Sequence, residues 1–167
     1  IGSNGVRVAH ANTVPQSIPI SIDWTDTSLI SIPNDWSNVP GVVGYLGERL
    51  GSKTAGVNPQ TILVDGTNTS ISLLPNLSDP NATSSAGVAE FEIADPTIAL
   101  SGSNAPHAPF LLINLNTIGK TDITIDYDVR DLESSSQNAT QQLALHYRVG
   151  NSGNFTNLPD GYVADAT

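Results

Sequence analysis

An unbroken alternation of apolar and polar residues from position 121 to position 130 limits the fold more than any other feature. Ile123, Ile125, Tyr127 and Val129 alternate there with aspartates, threonines and an arginine. Successive side chains of a β-strand point to opposite faces, so this pattern predicts a strand with one buried and one solvated face. Residues 142–149 repeat the pattern with Leu, Tyr and Val on the apolar face.

A polar, turn-forming segment, residues 131–140, separates these two stretches. Two amphipathic strands joined by a polar loop predict an antiparallel pair. In the simplest register Tyr127 faces Leu145 on the apolar side, and Asp126 faces His146 on the solvated side.

Short candidate strands separated by Gly, Pro, Asn and Asp turns fill the rest of the chain. This spacing predicts an all-β fold, an antiparallel jelly-roll-like β-sandwich, in one domain over residues 1–167. Beside 122–130 and 142–149, the predicted strands are 6–10, 18–24, 29–32, 42–46, 61–64, 70–74, 88–93, 97–100, 110–115 and 155–158.

Charge and composition exclude several classes of function. The net charge of −10 and the pI of about 4.3 disfavour direct binding to nucleic acid, because such a surface repels phosphates. The chain has no Cys, which excludes disulfides and thiolate metal sites. It has no apolar run long enough to span a membrane. Charged residues make up only 13% of the chain. This low share, the abundance of Ser, Thr, Asn and Gly and the absence of Cys lead us to expect a secreted bacterial protein. The absence of Met leads us to expect a processed segment of it.

Eight segments of the chain look familiar when they are taken together: DWTD (23–26), DWSNVPGVVGYLG (35–47), NPQTIL (58–63), GVAEFEIADP (87–96), APFL (108–111), YDVRDLE (127–133), QLALHYRVG (142–150) and GNFTNLPDGYVADAT (153–167). They resemble a non-catalytic module of large secreted bacterial proteins. In those proteins the module lies beside nuclease or phosphoesterase domains of the endonuclease/exonuclease/phosphatase type, or beside Ig-like repeats. The resemblance implies a jelly-roll-like sandwich and runs from about residue 24 to the end.

Two departures from the family pattern bear on site and fold. Glu133 and Gln137 stand where the family's acidic loop has Asp residues, which weakens a metal site there. The family module also continues past the equivalent of Thr167. The resemblance therefore implies a sandwich that is incomplete at its C-terminus, or one that another segment completes.

No motif in the sequence indicates catalysis. His10, His107 and His146 are far apart and have no companion motif. Glu90 and Glu92 lie two residues apart in a predicted strand, and such a pair is typical of a solvated face rather than of two carboxylates across a cleft. We therefore expect no enzyme activity and no catalytic residue in this chain.

The acidic loop after residue 127 is a candidate calcium site. Calcium takes six to eight oxygen ligands from carboxylates, amides and carbonyls. Asp128, Asp131, Glu133 and Asn138 supply such oxygens over a short stretch, but no glycine provides the sharp turn of an EF-hand loop. A solvated acidic loop is the alternative. Calcium is the only cofactor that the sequence indicates.

Aromatic residues offer candidate platforms for a polysaccharide. Trp36 lies in a proline-flanked loop that we expect to be exposed, and Tyr45 and Tyr162 are further candidates. A buried role as a loop anchor is the alternative for each. Trp24 follows Ile18, Ile20 and Ile22 in alternation and is expected to cap the core. Five residues, Asn68, Asn76, Asn81, Asn138 and Asn154, begin glycosylation sequons that matter only in a host that glycosylates.

The sequence favours a secreted or cell-surface accessory module that binds a ligand, with a polysaccharide or neighbouring domains and subunits as partners. A structural filament subunit completed by strand exchange is the first alternative. A non-catalytic part of a secreted nuclease or phosphoesterase is the second.

Overall fold

The computed structural model of the protein describes residues 10–48, 50, 57–65, 70–81, 86–103, 107–132 and 140–166. Over these residues the chain is mostly strands, and its only helical turns are two 3-10 helices, Thr27–Leu29 and Pro59–Thr61. Asp26 and Asn58 cap these turns by accepting hydrogen bonds from backbone N–H groups. The expectation of a strand-built chain with almost no helix is confirmed.

Nine strands lie in the described part of the chain, and they form four small sheets, none of which is closed. The strands are β1 (Gln16–Ser17), β2 (Val42–Tyr45), β3 (Leu74–Leu77), β4 (Gly87–Phe91), β5 (Thr97–Ser101), β6 (Phe110–Ile113), β7 (Leu115–Asn116), β8 (Leu143–Tyr147) and β9 (Thr156–Val163).

The pairing is mostly antiparallel. β2 pairs with β6, β4 with β5, and β8 with β9 in that sense, whereas β1–β7 and β3–β4 are parallel. β4 is the central strand of the three-stranded sheet, and all five of its residues are buried. Its nearly continuous apolar sequence suits a strand that is covered on both faces.

The core forms around Trp36. Its indole N–H donates to the carbonyl of Ser72 at 3.1 Å, and valines from β2 and β4 surround it with Ile30, Val39 and Leu73. Gly44 in β2 makes room for the ring, since a Cβ there would lie 2.5 Å from Trp36 Cζ2. Trp24 packs against this core from a partly buried position, as expected.

Local pattern located six of the predicted strands, at 42–46, 88–93, 97–100, 110–115, 142–149 and 155–158, with shifts of a few residues. The predictions at 18–24, 29–32 and 61–64 are wrong. Pro19 has no N–H to offer a ladder, and Trp24 has a positive φ of 61°. The stretches 29–32 and 61–64 each begin at the last residue of a capped 3-10 turn. The strand predicted at 70–74 begins only at Leu74, and most of 6–10 lies outside the described residues.

The predicted pairing of 122–130 with 142–149 is also wrong. β8 pairs instead with β9, and residues 121–130 are all exposed and belong to no sheet. His146 therefore faces Asn157 rather than Asp126, and Leu145 faces Leu158. Alternation reports that a segment is amphipathic, but it does not specify which strand covers the apolar side.

Candidate functional site

A groove of about 610 Å³ lies between residues 123–127 and the β8–β9 ribbon. One wall is the amphipathic segment itself, and the other is the face of β9 with Leu145 of β8. The lining residues are Ile123, Thr124, Ile125, Asp126, Tyr127, Leu145, Leu158, Asp160, Gly161, Tyr162 and Val163. Its volume lies in the range of small-molecule and peptide sites.

The two walls meet at Tyr127 and Gly161. The Tyr127 hydroxyl donates to the Gly161 carbonyl. Burial raises the pKa of Tyr127 above its ordinary value, which keeps this hydroxyl protonated as a donor near neutral pH. Gly161 suits this place, because a Cβ there would lie 2.7 Å from Leu145 Cβ. A side chain at position 161 would therefore collide with Leu145.

Apolar side chains are unusually exposed along this wall. Ile123, Ile125, Tyr127 and Val129 are each between 38% and 47% exposed. Isolated exposed apolar residues are common, but a contiguous row of them is typical of an interaction surface. Three residues of the row that the sequence predicts to face the core, Ile123, Ile125 and Tyr127, thus line an open groove instead.

The charge around the groove is negative. Asp126 and Asp160 line it and are exposed, and neither forms an ion pair with a described residue. Arg130 is already paired with Asp95 at 2.7 Å. The groove therefore combines apolar side chains with two carboxylates, the Thr124 hydroxyl and two tyrosine hydroxyls.

The opposite face of the β8–β9 ribbon is covered by residues 57–65. Arg148 pairs with Asp65 at 2.9 Å, and its guanidinium lies 4.3 Å from the centroid of the Phe155 ring. The Phe155 N–H donates to Leu63 O at 2.8 Å. These contacts hold residues 57–65 against one face of the β8–β9 ribbon, and the opposite face lines the groove.

His146 also lies on the covered face. Burial lowers the pKa of His146, and a hydrogen bond with the Asn157 side chain partly offsets this effect. The Asn157 amide donates to Gln60 Oε1 at 3.2 Å. His146 is thus a partly buried neutral side chain in the packing between the ribbon and residues 57–65, away from the groove.

The three predicted ligand-binding aromatics do not come together. Tyr162 lines the groove, as a binding residue must. Tyr45 stacks on Phe110 with ring centroids 5.1 Å apart. The expected exposure of Trp36 is wrong, because its side chain is 0% exposed at the centre of the core and presents no face to a ligand. The loop around it is held inward by Asn34, whose side chain accepts from Leu73 N–H at 2.9 Å.

The predicted calcium ligands are only partly described. Asp128 is exposed and Asp131 is half-buried, whereas Glu133 and Asn138 lie outside the described residues. Within the described ranges, no group of three or more His, Asp or Glu side chains is close enough to hold a metal ion. The calcium site therefore stays a prediction.

The Glu90 and Glu92 pair departs from the expected solvated face. Glu92 is exposed, but Glu90 is buried at 1% exposure and accepts from the Asn76 N–H at 3.2 Å. With its amide nitrogen turned toward these acceptors, Asn76 also donates to Glu92 Oε1 at 2.7 Å and to Ile30 O at 2.9 Å. Burial raises the pKa of Glu90, and nearby Glu92 adds to the rise. This buried carboxyl group lies between β3 and β4 and does not line the groove.

Among the sequons, Asn81 and Asn154 are exposed, and Asn76 is engaged in the contacts with Glu92 and Ile30. Asn68 and Asn138 lie outside the described residues.

Sequence reasoning missed two groove residues, Tyr127 and Asp160. Alternation assigned Tyr127 to the core, although a tyrosine in an apolar row already signals that one end of the side chain needs a polar partner. Asp160 lies in a Pro-Asp-Gly sequence that reads as a turn but falls within β9.

Comparison of the chain with protein-family models, curated proteins and solved structures found no match. Over the described ranges, no helix has the length and apolar character needed to cross a membrane.

Proposed function

We propose that this chain is a non-enzymatic, extracellular β-sandwich module of a larger secreted protein, and that it binds a partner in the groove between residues 123–127 and β8–β9. The observation that carries the proposal is the open, partly apolar groove with exposed Ile123, Ile125 and Tyr127. Exposed apolar surface is unfavourable in water, so its burial against a bound partner contributes favourable free energy to binding.

A jelly-roll-like stacking of the sheets is the architecture that we propose for the module. Side chains from β2 and β4, which belong to different sheets, meet around Trp36 in one core. Two sheets that share a core in this way are the elementary unit of a sandwich.

A binding role fits the groove better than hydrolysis does. A glycosidase needs one carboxylic acid held in apolar surroundings and a second carboxylate across the sugar. Asp126 and Asp160 occupy opposite walls, but both are exposed to solvent. Glu90, the buried acid among the described residues, does not line the groove and is 1% exposed.

Binding is tested by recording amide spectra of the ¹⁵N-labelled chain while oligosaccharides and short peptides are added. We expect at least one ligand class to shift the signals of Ile125, Tyr162 and Val163. Tyr162→Ala should weaken this response, whereas Asp79→Asn, in an exposed turn outside the groove, should not. A panel that shifts none of the groove signals would refute the proposal.

The absence of catalysis is tested on the same protein. The purified chain, supplied with Mg²⁺, Mn²⁺, Ca²⁺ or Zn²⁺, should not hydrolyse DNA, nitrophenyl phosphates or common polysaccharides. A turnover that disappears in Asp126→Asn or Asp160→Asn would instead assign hydrolysis to the groove, and one that disappears in Glu90→Gln would assign it to the buried carboxyl group.

A further inference from the structure

Residues 122–130 have the sequence of a strand, but within the described chain they form none of a strand's hydrogen bonds. None of their N–H or C=O groups bonds to the backbone of another described residue. The neighbouring ribbon is also incomplete, since β8 pairs only with β9 among the described strands. An added peptide strand pairs with backbone groups that lack partners and packs its side chains on an adjoining apolar surface, and this part of the molecule offers both.

The charges of this surface indicate which peptide it accepts. Asp122, Asp126 and Asp128 lie on the segment, and Asp160 lies across the groove, all exposed and without an ion pair to a described residue. The nearby guanidinium groups of Arg130 and Arg148 are each held by an aspartate, Asp95 and Asp65. The unneutralised charge is therefore acidic, and it attracts cationic partners.

A second copy of the chain is a poor occupant for the same reason. Each copy has a net charge of −10, so pairing two grooves would bring aspartates together. Like charges placed opposite each other across strands are destabilising. An apolar face alone would suit self-association, but this acidic rim opposes it.

We propose that residues 122–130 and the groove beside them accept a peptide strand from a partner protein, with apolar residues at alternate positions and Lys or Arg between them. The apolar side chains pack on Ile123, Ile125 and Tyr127, and the cationic side chains pair with Asp126, Asp128 and Asp160. This inference rests on the proposed binding function and specifies its partner.

The test uses three synthetic peptides of about eight residues, the length of an ordinary strand. One alternates Lys and Val, the second Glu and Val, and the third Lys and Ser. Calorimetric titration into the chain should show binding of the Lys–Val peptide. The Glu–Val and Lys–Ser peptides should bind at least about tenfold more weakly, because each lacks one of the two required interactions.

A charge-reversed variant separates this mode from unspecific attraction. Asp126→Lys with Asp128→Lys alters two exposed residues without ion pairs and should leave the fold intact, which a melting curve checks. The variant should bind the Glu–Val peptide better than the Lys–Val peptide. In the wild-type chain, bound Lys–Val peptide should also slow hydrogen exchange at amides within 123–129.

Equal binding of the Lys–Val and Lys–Ser peptides, or binding without slower exchange in 123–129, would overturn the inference. A chain that binds an oligosaccharide in the groove but no peptide would overturn it and leave the proposed function standing. Slow exchange in 123–129 that appears only with dimerisation would identify a second copy as the occupant. If no ligand binds at all, both proposals fail.

Discussion

Glu90 places a carboxyl group inside the molecule, and its protonation should therefore affect stability. Burial, with a contribution from Glu92, raises its pKa above the ordinary value of 4.5, so the folded state binds this proton more tightly than the unfolded state does. A raised carboxyl pKa contributes stability that is present below the unfolded pKa and is lost as the pH rises through the folded pKa.

The variant Glu90→Gln keeps the acceptor for the Asn76 N–H but cannot ionise. Its melting temperature relative to the wild type should therefore increase as the pH is raised from about 4 to about 8. The matched control is Asp128→Asn, which removes one carboxylate from an exposed side chain far from Glu90 in the sequence and should show little of this trend. Parallel pH profiles for the two variants would contradict a buried Glu90.

A small change at Trp36 should lower the stability of the core, because its side chain is fully buried there. Trp36→Phe removes the indole N–H and leaves the Ser72 carbonyl without that donor in the buried interior. An unsatisfied buried polar group costs about 1–3 kcal/mol. Chemical unfolding should report a loss of this size, and Trp24→Phe, at a partly buried position, should cost less.

At the scale of elements, Arg148 connects the β8–β9 ribbon to residues 57–65. Its side chain is 10% exposed, pairs with Asp65 and lies over Phe155. Arg148→Gln should reduce the free energy of unfolding by about 1–3 kcal/mol, since hydrogen bonds to a charged group are among the stronger ones. Denaturant titration measures this loss.

Arg130→Gln is the matched control for that experiment. Its partner Asp95 is 78% exposed, and exposed pairs contribute about 0–1 kcal/mol. If the two arginine variants were equally stable, residues 57–65 would not be held on the ribbon as described.

Local pattern predicted the elements better than their pairing. β2, β4 and β8 were found because each has a run of apolar or alternating residues that favours a strand. The strand prediction at 18–24 failed because it followed the alternation of Ile18, Ile20 and Ile22 and took no account of Pro19, which cannot donate a hydrogen bond to a neighbouring strand. The burial of Glu90 was not predictable, because the residue that hydrogen-bonds its carboxylate, Asn76, lies on another strand.

The candidate site was predictable only in part. Tyr162 was found from its aromatic character, and Asp160 lies two residues before it in β9. Tyr127 joins them through contacts between segments more than 30 residues apart, such as the Tyr127–Gly161 hydrogen bond. No pattern local to either segment encodes that meeting. Trp36 failed as a ligand residue because flanking prolines mark a loop without indicating which way its side chain points.

At the scale of the whole molecule, the open sheets and the exposed amphipathic segment share one feature, which is backbone that lacks a strand partner in the described chain. Four small sheets leave strand edges unpaired in the described chain, and the best-patterned strand sequence lies outside all of them. A chain whose net charge is −10 tolerates such edges, since charge repulsion limits aggregation. Completion by a cationic strand would satisfy backbone, apolar and charged groups together.

Hydrogen exchange of the free chain tests this central claim most directly. Amides of buried β4, such as those of Ala89 and Glu90, should exchange slowly. Those of Ile123, Ile125 and Val129 should exchange at nearly the rates of an unfolded peptide, because no backbone carbonyl of a described residue accepts from them. Protection of 123–129 in the free chain comparable to that of β4 would contradict the account, since the segment would then already be paired.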